Sequence, residues 1–350
     1  MKKLLLLLFT AVIAQAQTTP ANADLFYDTK YLNGGCFRIP SLVTAPDGTL
    51  IAVVDERFNQ CGDLKYNDDI NIVMKRSFDN GKTWTAAERI VDFPKGQSAS
   101  DASMVVDRVT QDIFLFYNYM DLVNAKGIFR HHVIVSHDNG KTWSQPRDIT
   151  DDIAPANSEK YFRFITSGQA TQDNAGNIYQ TLVTLEEGVF VFTSKNHGKT
   201  WERFAGPVAP ADETNITALP NGNILLNSRV RDLGARKIYV FNPEGKLISN
   251  EVKNDLIDPT CNGAMMLYDF QGKALVFANL HDQKDRKNLG IKYSTNQGKS
   301  WSEGKIIYPG ASAYSSLAQT WDGNFALLFE KDGYKKISFS LLPAIWVFND

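Results

Sequence analysis

Four copies of one eight-residue box punctuate the chain, and their spacing limits what it can fold into more than any other feature. They read Ser77-Phe-Asp-Asn-Gly-Lys-Thr-Trp84, Ser136-His-Asp-Asn-Gly-Lys-Thr-Trp143, Ser194-Lys-Asn-His-Gly-Lys-Thr-Trp201 and Ser294-Thr-Asn-Gln-Gly-Lys-Ser-Trp301. A degraded fifth copy lies at Phe241-Asn-Pro-Glu-Gly-Lys-Leu247. The glycines Gly81, Gly140, Gly198, Gly245 and Gly298 stand 59, 58, 47 and 53 residues apart. A period of about 50 residues marks a stacked or radial repeat. Apolar stretches such as Ile70–Met74 and His132–Val135 precede the boxes and read as strands. The box itself reads as a turn, with Gly supplying positive φ and Asp or Asn bonding the local backbone. Its Trp is expected to pack back against the strands, so the motif is structural.

A second repeat runs out of phase with the first. It appears at Ala45-Pro-Asp-Gly-Thr-Leu50, Asp173-Asn-Ala-Gly-Asn-Ile178, Leu219-Pro-Asn-Gly-Asn-Ile224 and Thr320-Trp-Asp-Gly-Asn-Phe325, each a turn followed by a buried strand. Two hairpins per unit is the make-up of a propeller blade, and about 330 residues at that length predict an all-β, six-bladed β-propeller. Closure is expected from an N-terminal strand near Leu25–Tyr31 lying beside Ile337–Trp346. No segment shows a convincing helical period.

Met1-Lys2-Lys3, the apolar run Leu4–Ala14 and the small-x-small site Ala14-Gln15-Ala16 have the layout of a secretory signal peptide. The expected organisation is therefore a leader over 1–16 and one propeller domain over 17–350, exported to the periplasm or beyond the cell. The apolar run falls short of the roughly 20 residues that span a bilayer. A net charge of −2 offers no footprint for nucleic acid. Three cysteines are too few for a disulfide framework, so Cys36, Cys61 and Cys261 read as buried thiols, with Cys36–Cys61 the pair if any is bridged. His131-His132 lacks the spaced partners of a metal site, no G-x-S-x-G elbow occurs, and the glycines lie outside any strand–helix phosphate loop. The reading therefore includes no metal or cofactor and takes the protein as a monomer.

Three arginines stand at strand ends in different repeats: Arg38 in Phe37-Arg-Ile-Pro40, Arg229 in Leu226-Asn-Ser-Arg229, and Arg286 before the strand leading to the fourth box. An Arg between apolar neighbours is costly without a partner. Blade ends converge on an axis, so the three can face one point.

The F-R-I-P segment together with the boxes resembles the exo-sialidase family of bacteria and animals, of the glycoside hydrolase family 33 type, across nearly the whole chain after the leader. That resemblance implies a clamp of Arg38, Arg229 and Arg286 on the carboxylate of sialic acid, since the guanidinium fork suits a carboxylate. It implies that Glu330 orients Arg38. The nucleophile falls on Tyr314, because a neutral phenol approaches an anomeric carbon bearing a carboxylate without charge repulsion; sialidases are the known tyrosine exception among glycosidases. Glu213 becomes its base and Asp63 the acid and later base, with Asp68 and Asp69 as competitors ranked behind Asp63. Arg57 falls at the O4 face of the sugar, and Asp101 at the same end of the pocket. Asn262 stands where relatives carry Gln, which puts the glycerol-tail contact in question. The implied activity is retaining hydrolysis of terminal sialic acid from glycans, glycoproteins or glycolipids. A glycan-binding propeller without catalysis, or transfer of the trans-sialidase type, is the alternative. The binding propeller would keep the arginines and lose the acid, base or nucleophile.

Overall fold

The computed structural model describes residues 20–268 and 273–349. The expected leader, 1–16, lies outside the described residues. The described residues are all-β apart from short helical turns at Lys30–Leu32, Thr150–Ile153 and Ala344–Phe348.

Antiparallel meanders follow one another around the molecule. The first sheet holds Cys36–Thr44, Leu50–Arg57, Ile70–Ser77 and Glu88–Val91. The second holds Gln97–Val106, Ile113–Asp121, Arg130–Ser136 and Arg147–Asp148, joined in parallel by Gly168–Gln169. The third is built on Ile178–Thr184, Gly188–Ser194 and Glu202–Val208, with Arg163–Ile165 and Thr171–Gln172 both pairing its first strand. Thr214–Ala218, Ile224–Ser228, Ala235–Phe241 and Leu247–Ile257 form the fourth.

The remaining strands correct the expectation of six blades. They make one seven-stranded sheet, so the arrangement is propeller-like with four smaller sheets and one large curved one. The cause is Lys305–Gln319, a strand of 15 residues. Its first part pairs with Lys287–Ser294 and its second with Phe325–Lys331, which fuses what a count of repeats divides in two. Ala21–Phe26 closes the circle by pairing with Lys336–Leu342. This strand begins earlier than expected, and its partner stops at Leu342 because Pro343 caps the helical turn that follows.

Each box behaves as a self-contained turn. The Ser77 hydroxyl donates to Asp79 Oδ1 at 2.9 Å and accepts from the Gly81 N–H at 2.8 Å, while Asp79 accepts from the Thr83 N–H at 2.8 Å. The same bonds recur at Ser136, Ser194 and Ser294. The box glycine has a second reason besides φ, because it docks on the neighbouring sheet. A Cβ at Gly81 would lie 2.3 Å from the Phe339 ring, and one at Gly140 2.6 Å from Ile51. The core lies between successive sheets, as where Ile51, Val53 and Met74 meet Met104, Leu115 and Ile134. Trp201 packs edge-on against Phe116 at 5.1 Å and Phe192 at 5.8 Å, pairs worth about 0.5–1.5 kcal/mol each beyond area burial.

The innermost strands are stitched by polar bonds between sheets. Ser41 donates to the Gly168 carbonyl at 2.6 Å, Gln169 to the Leu42 carbonyl at 2.6 Å, and the Leu42 N–H to Ser316 at 3.0 Å. Both turn repeats lie at one end of this axis. The strand starts and the returning loops, which carry the arginines, lie at the other.

Candidate active site

The innermost strands do not run straight at that second end. Register shifts interrupt pairing between Arg38 and Ser41, Ser100 and Ser103, and Ser312 and Ser315. Ile39 and Asp101 adopt positive φ, 58° and 63°. Such bulges re-aim side chains, and here they turn Arg38, Asp101 and Tyr314 to one place.

Arg38 lays its fork on Glu330, Nε to Oε1 at 2.9 Å and Nη2 to Oε2 at 3.3 Å. Glu330 is fully buried and accepts also from the Ile39 N–H at 3.0 Å and the Tyr314 N–H at 3.1 Å. One carboxylate thus ties the first clamp residue to the strand of the phenol. Arg229 follows its strand directly and bonds the Glu213 carboxylate and, at 3.1 Å, the Tyr314 hydroxyl. Arg286 donates to the Thr260 carbonyl at 2.9 Å and to the Tyr334 hydroxyl at 3.0 Å. The guanidinium carbons of Arg38 and Arg286 lie 5.3 and 5.8 Å from the Tyr314 ring centroid. The three arginines picked from separate repeats therefore surround a single phenol.

Tyr314 donates to Glu213 Oε1 at 2.6 Å and Oε2 at 2.7 Å. Burial raises the Glu213 carboxyl above its ordinary value, with Arg229 opposing. Burial, then the Glu213 charge, holds the phenol well above its own. The resting pair is a phenol bonded to a carboxylate, and a carboxylate made more basic by burial is suited to take that proton.

Asp63 stands on the loop after Leu50–Arg57 with an exposed side chain, 2.8 Å from Arg57 Nη1 and 3.7 Å from Arg38 Nη1. Partial desolvation by the surrounding loop pushes its carboxyl up, but Arg57 and Arg38 outweigh that and leave it below the usual range. Asp68 and Asp69, the competitors, lie where the loop rejoins the first sheet: the Asp69 carbonyl accepts from the Phe58 N–H and that of Asp68 from the Gly96 N–H.

Arg57 is fully buried beneath the loop, donating to Asp63 Oδ1 at 2.8 Å, to the Cys61 and Gly62 carbonyls at 3.0 and 3.1 Å and to Asp55 Oδ2 at 2.9 Å. Cys36 and Cys61 are bridged, which corrects the reading of three thiols; only Cys261 is free. The pairing follows from register, since Cys36 lies opposite Arg57 and the chain then folds back over it. The loop that carries Asp63 is thus held by a disulfide, the Arg57 fork and Asn67, which donates to the Gln60 carbonyl at 2.8 Å.

Asp101 borders the same cavity, of about 160 Å³, with Asp63, Glu213, Arg229 and Tyr314 on its polar side and Leu64, Phe129, Phe162 and Phe164 on its apolar side. Burial and the neighbouring charge of Asp55 push the Asp101 carboxyl up to about 7. Asn262 is buried and bonded to Ser167 at 3.2 Å. Sequence reasoning missed Asp55, Tyr334 and the Phe wall. Asp55 alone left a signal, a carboxylate ending the apolar run Leu50–Val54. Among the described residues no cluster of His, Cys, Asp or Glu could hold a metal ion, and no helix is long and apolar enough to cross a membrane.

A model of the BNR repeat-like domain matches residues 40–327. A sialidase of Micromonospora viridifaciens is 32% identical over 94% of this chain and 56% of its own length. A sialidase of Bacteroides fragilis is 26% identical over 85% of this chain and 60% of its own. The chain thus spans little more than half of these two curated relatives. Among solved structures, the Hadza microbial sialidase Hz136 superposes with a TM-score of 0.80 at 21% identity, covering 92% of this chain and 68% of that one, a likeness of fold.

Proposed function

The chain belongs to the BNR repeat-like family, and on that premise we propose that it is an exo-α-sialidase, a retaining glycoside hydrolase acting on terminal sialic acid of glycans, glycoproteins or glycolipids. The observation that carries the reading is the meeting of three guanidinium groups around a phenol bonded to a buried carboxylate.

In the proposed cycle the substrate carboxylate lies across Arg38, Arg229 and Arg286. Tyr314 attacks the anomeric carbon as its proton passes to Glu213. Asp63 protonates the glycosidic oxygen, and the aglycone leaves with that proton. Asp63 then takes a proton from water, the water oxygen displaces the phenol, and Glu213 returns its proton to Tyr314. Two inversions give retention. The lowered pKa of Asp63 fits this order: an incoming carboxylate neutralises the cationic field around it and raises its affinity for a proton. The bond between base and nucleophile candidates, with Asp63 lining the same cavity, favours catalysis over glycan binding alone.

The same reading holds that residues 1–16 are a cleaved leader, that 17–350 form one catalytic unit acting as a monomer in the periplasm or outside the cell, and that nucleic acid is no partner. The Cys36–Cys61 bridge supports an oxidising compartment. The deciding assay is release of a fluorescent aglycone from a synthetic sialoside by the wild type, Tyr314→Phe and Asp63→Ala, with NMR of the first-formed anomer. Release by the wild type alone, with retention, is expected; no release by the wild type would abandon the enzyme reading.

A further inference from the structure

We propose that Tyr334 is the positioning residue of the carboxylate clamp, setting Arg38 with its ring and Arg286 with its hydroxyl; the inference rests on the sialidase reading. Tyr334 belongs to the loop between Phe325–Lys331 and Lys336–Leu342, whose ends Lys331 and Lys336 are paired. The Arg38 guanidinium carbon lies 4.3 Å from the centre of its ring. Its hydroxyl accepts from Arg286 Nη1 at 3.0 Å. One side chain thus reaches two of the three clamp arginines from a strand connection that carries no other part of the site.

The backbone supplies an independent reason to look here. Asp332, Gly333 and Tyr334 have φ of 54°, 65° and 68° in succession. Gly tolerates that region and Asp visits it, but a bulky aromatic residue there is an outlier. Strain of this kind persists where surrounding contacts over-determine it, and it gathers at ligand clamps. The loop is held over the site by the Tyr308 hydroxyl bonding Asp332 and by the Asp332 N–H to the Ala311 carbonyl at 2.8 Å. Tyr308 and Ala311 lie on Lys305–Gln319, the strand that also carries Tyr314.

The partners of the arginines explain what a phenol adds. Arg38 has the Glu330 carboxylate and Arg229 that of Glu213. Arg286 forms no ion pair among the described residues; its acceptors are a carbonyl and the Tyr334 hydroxyl, both neutral. A carboxylate in place of Tyr334 would orient Arg286 but cancel its charge. A neutral acceptor fixes the fork and leaves the charge for the substrate.

Two variants test this by KM, kcat, melting temperature and the relative affinity for sialic acid and its C1 methyl ester. Tyr334→Phe keeps the ring under Arg38 and removes the acceptor for Arg286. KM should rise roughly tenfold with kcat changed much less, since one bond to a charged group is lost. Tyr334→Gly removes both contacts and the strain; KM should rise further while the melting temperature holds. In both, the preference for the acid over its ester should narrow, because the loss is confined to carboxylate recognition. A Tyr334→Phe enzyme with unchanged KM and acid preference, beside an active wild type, would overturn the role of Tyr334 and leave the sialidase reading intact. A wild type that neither cleaves sialosides nor binds sialic acid would end both.

Discussion

Ser77, Asp79 and Thr83 bond one another inside a single turn, whereas Arg38 and Glu330 meet across 292 residues and Tyr314 and Glu213 across 101. The turn end of the axis repeats one local solution four times, a buried serine and its neighbouring polar groups satisfying each other. The site end repeats nothing. It gathers single residues from distant strands, buries their charges, and bends strands through bulges and positive φ to do so. Scaffold and chemistry are therefore separable, and substitutions at the two ends should fail in different ways.

The largest effect expected is at the site end. Asp63→Ala should lower kcat by about 10²–10⁴-fold, the span for removing a positioned proton donor. Its melting temperature should stay put, because the side chain is exposed. A protein that melts early yet keeps its turnover would erase the distinction drawn above. Glu330→Leu comes next. It strands Arg38 in a buried place without its carboxylate, at a cost of about 3–5 kcal/mol, readable as a fall in the urea midpoint together with a raised KM.

At the turn end Gly81→Ala should cost about 1–3 kcal/mol, since the new methyl meets the Phe339 ring and φ is 84°. Turnover measured below the melting transition should be unchanged; a loss of activity there would show that the two ends are coupled. The smallest effect is a bend in a pH profile. Asp101, pushed up to about 7, is neutral below that pH and charged above it. An added negative charge beside an anionic substrate should raise KM a few-fold as pH passes 7, and Asp101→Asn should lack the bend. An identical bend in that variant would assign it elsewhere.

The same contrast governs what could be read from the amino acids. The boxes were legible because their chemistry is local and recurs. The number of sheets was not, because fusion depends on how far Lys305–Gln319 stays extended, and Pro309-Gly310, a pair that reads as a turn, lies beside the point where its partner changes without ending the strand. Arg38, Arg229 and Arg286 stood out at strand ends of separate repeats, Glu213, Tyr314 and Glu330 only by resemblance, and the structure brings the six together. Arg57 is harder to read: an Arg beside a loop looks alike whether it points to a ligand or holds the loop from below, and here it bonds the loop carbonyls and Asp63 together. Tyr334 left no trace, since neither its φ nor its reach to Arg286 is encoded in neighbours. The Cys36–Cys61 bridge followed from strand register, which a count of cysteines does not contain.

The circle closes through strands from opposite ends of the chain, and the Arg38–Glu330 pair sits within that closure. The four smaller sheets all precede the strand that carries Glu330 in sequence, so a chain lacking that strand would keep them and leave Arg38 without its carboxylate. The backbone N–H of Tyr314 would lose its acceptor in the same stroke. One carboxylate, at residue 330, is thus the point on which both Arg38 and the backbone of Tyr314 depend.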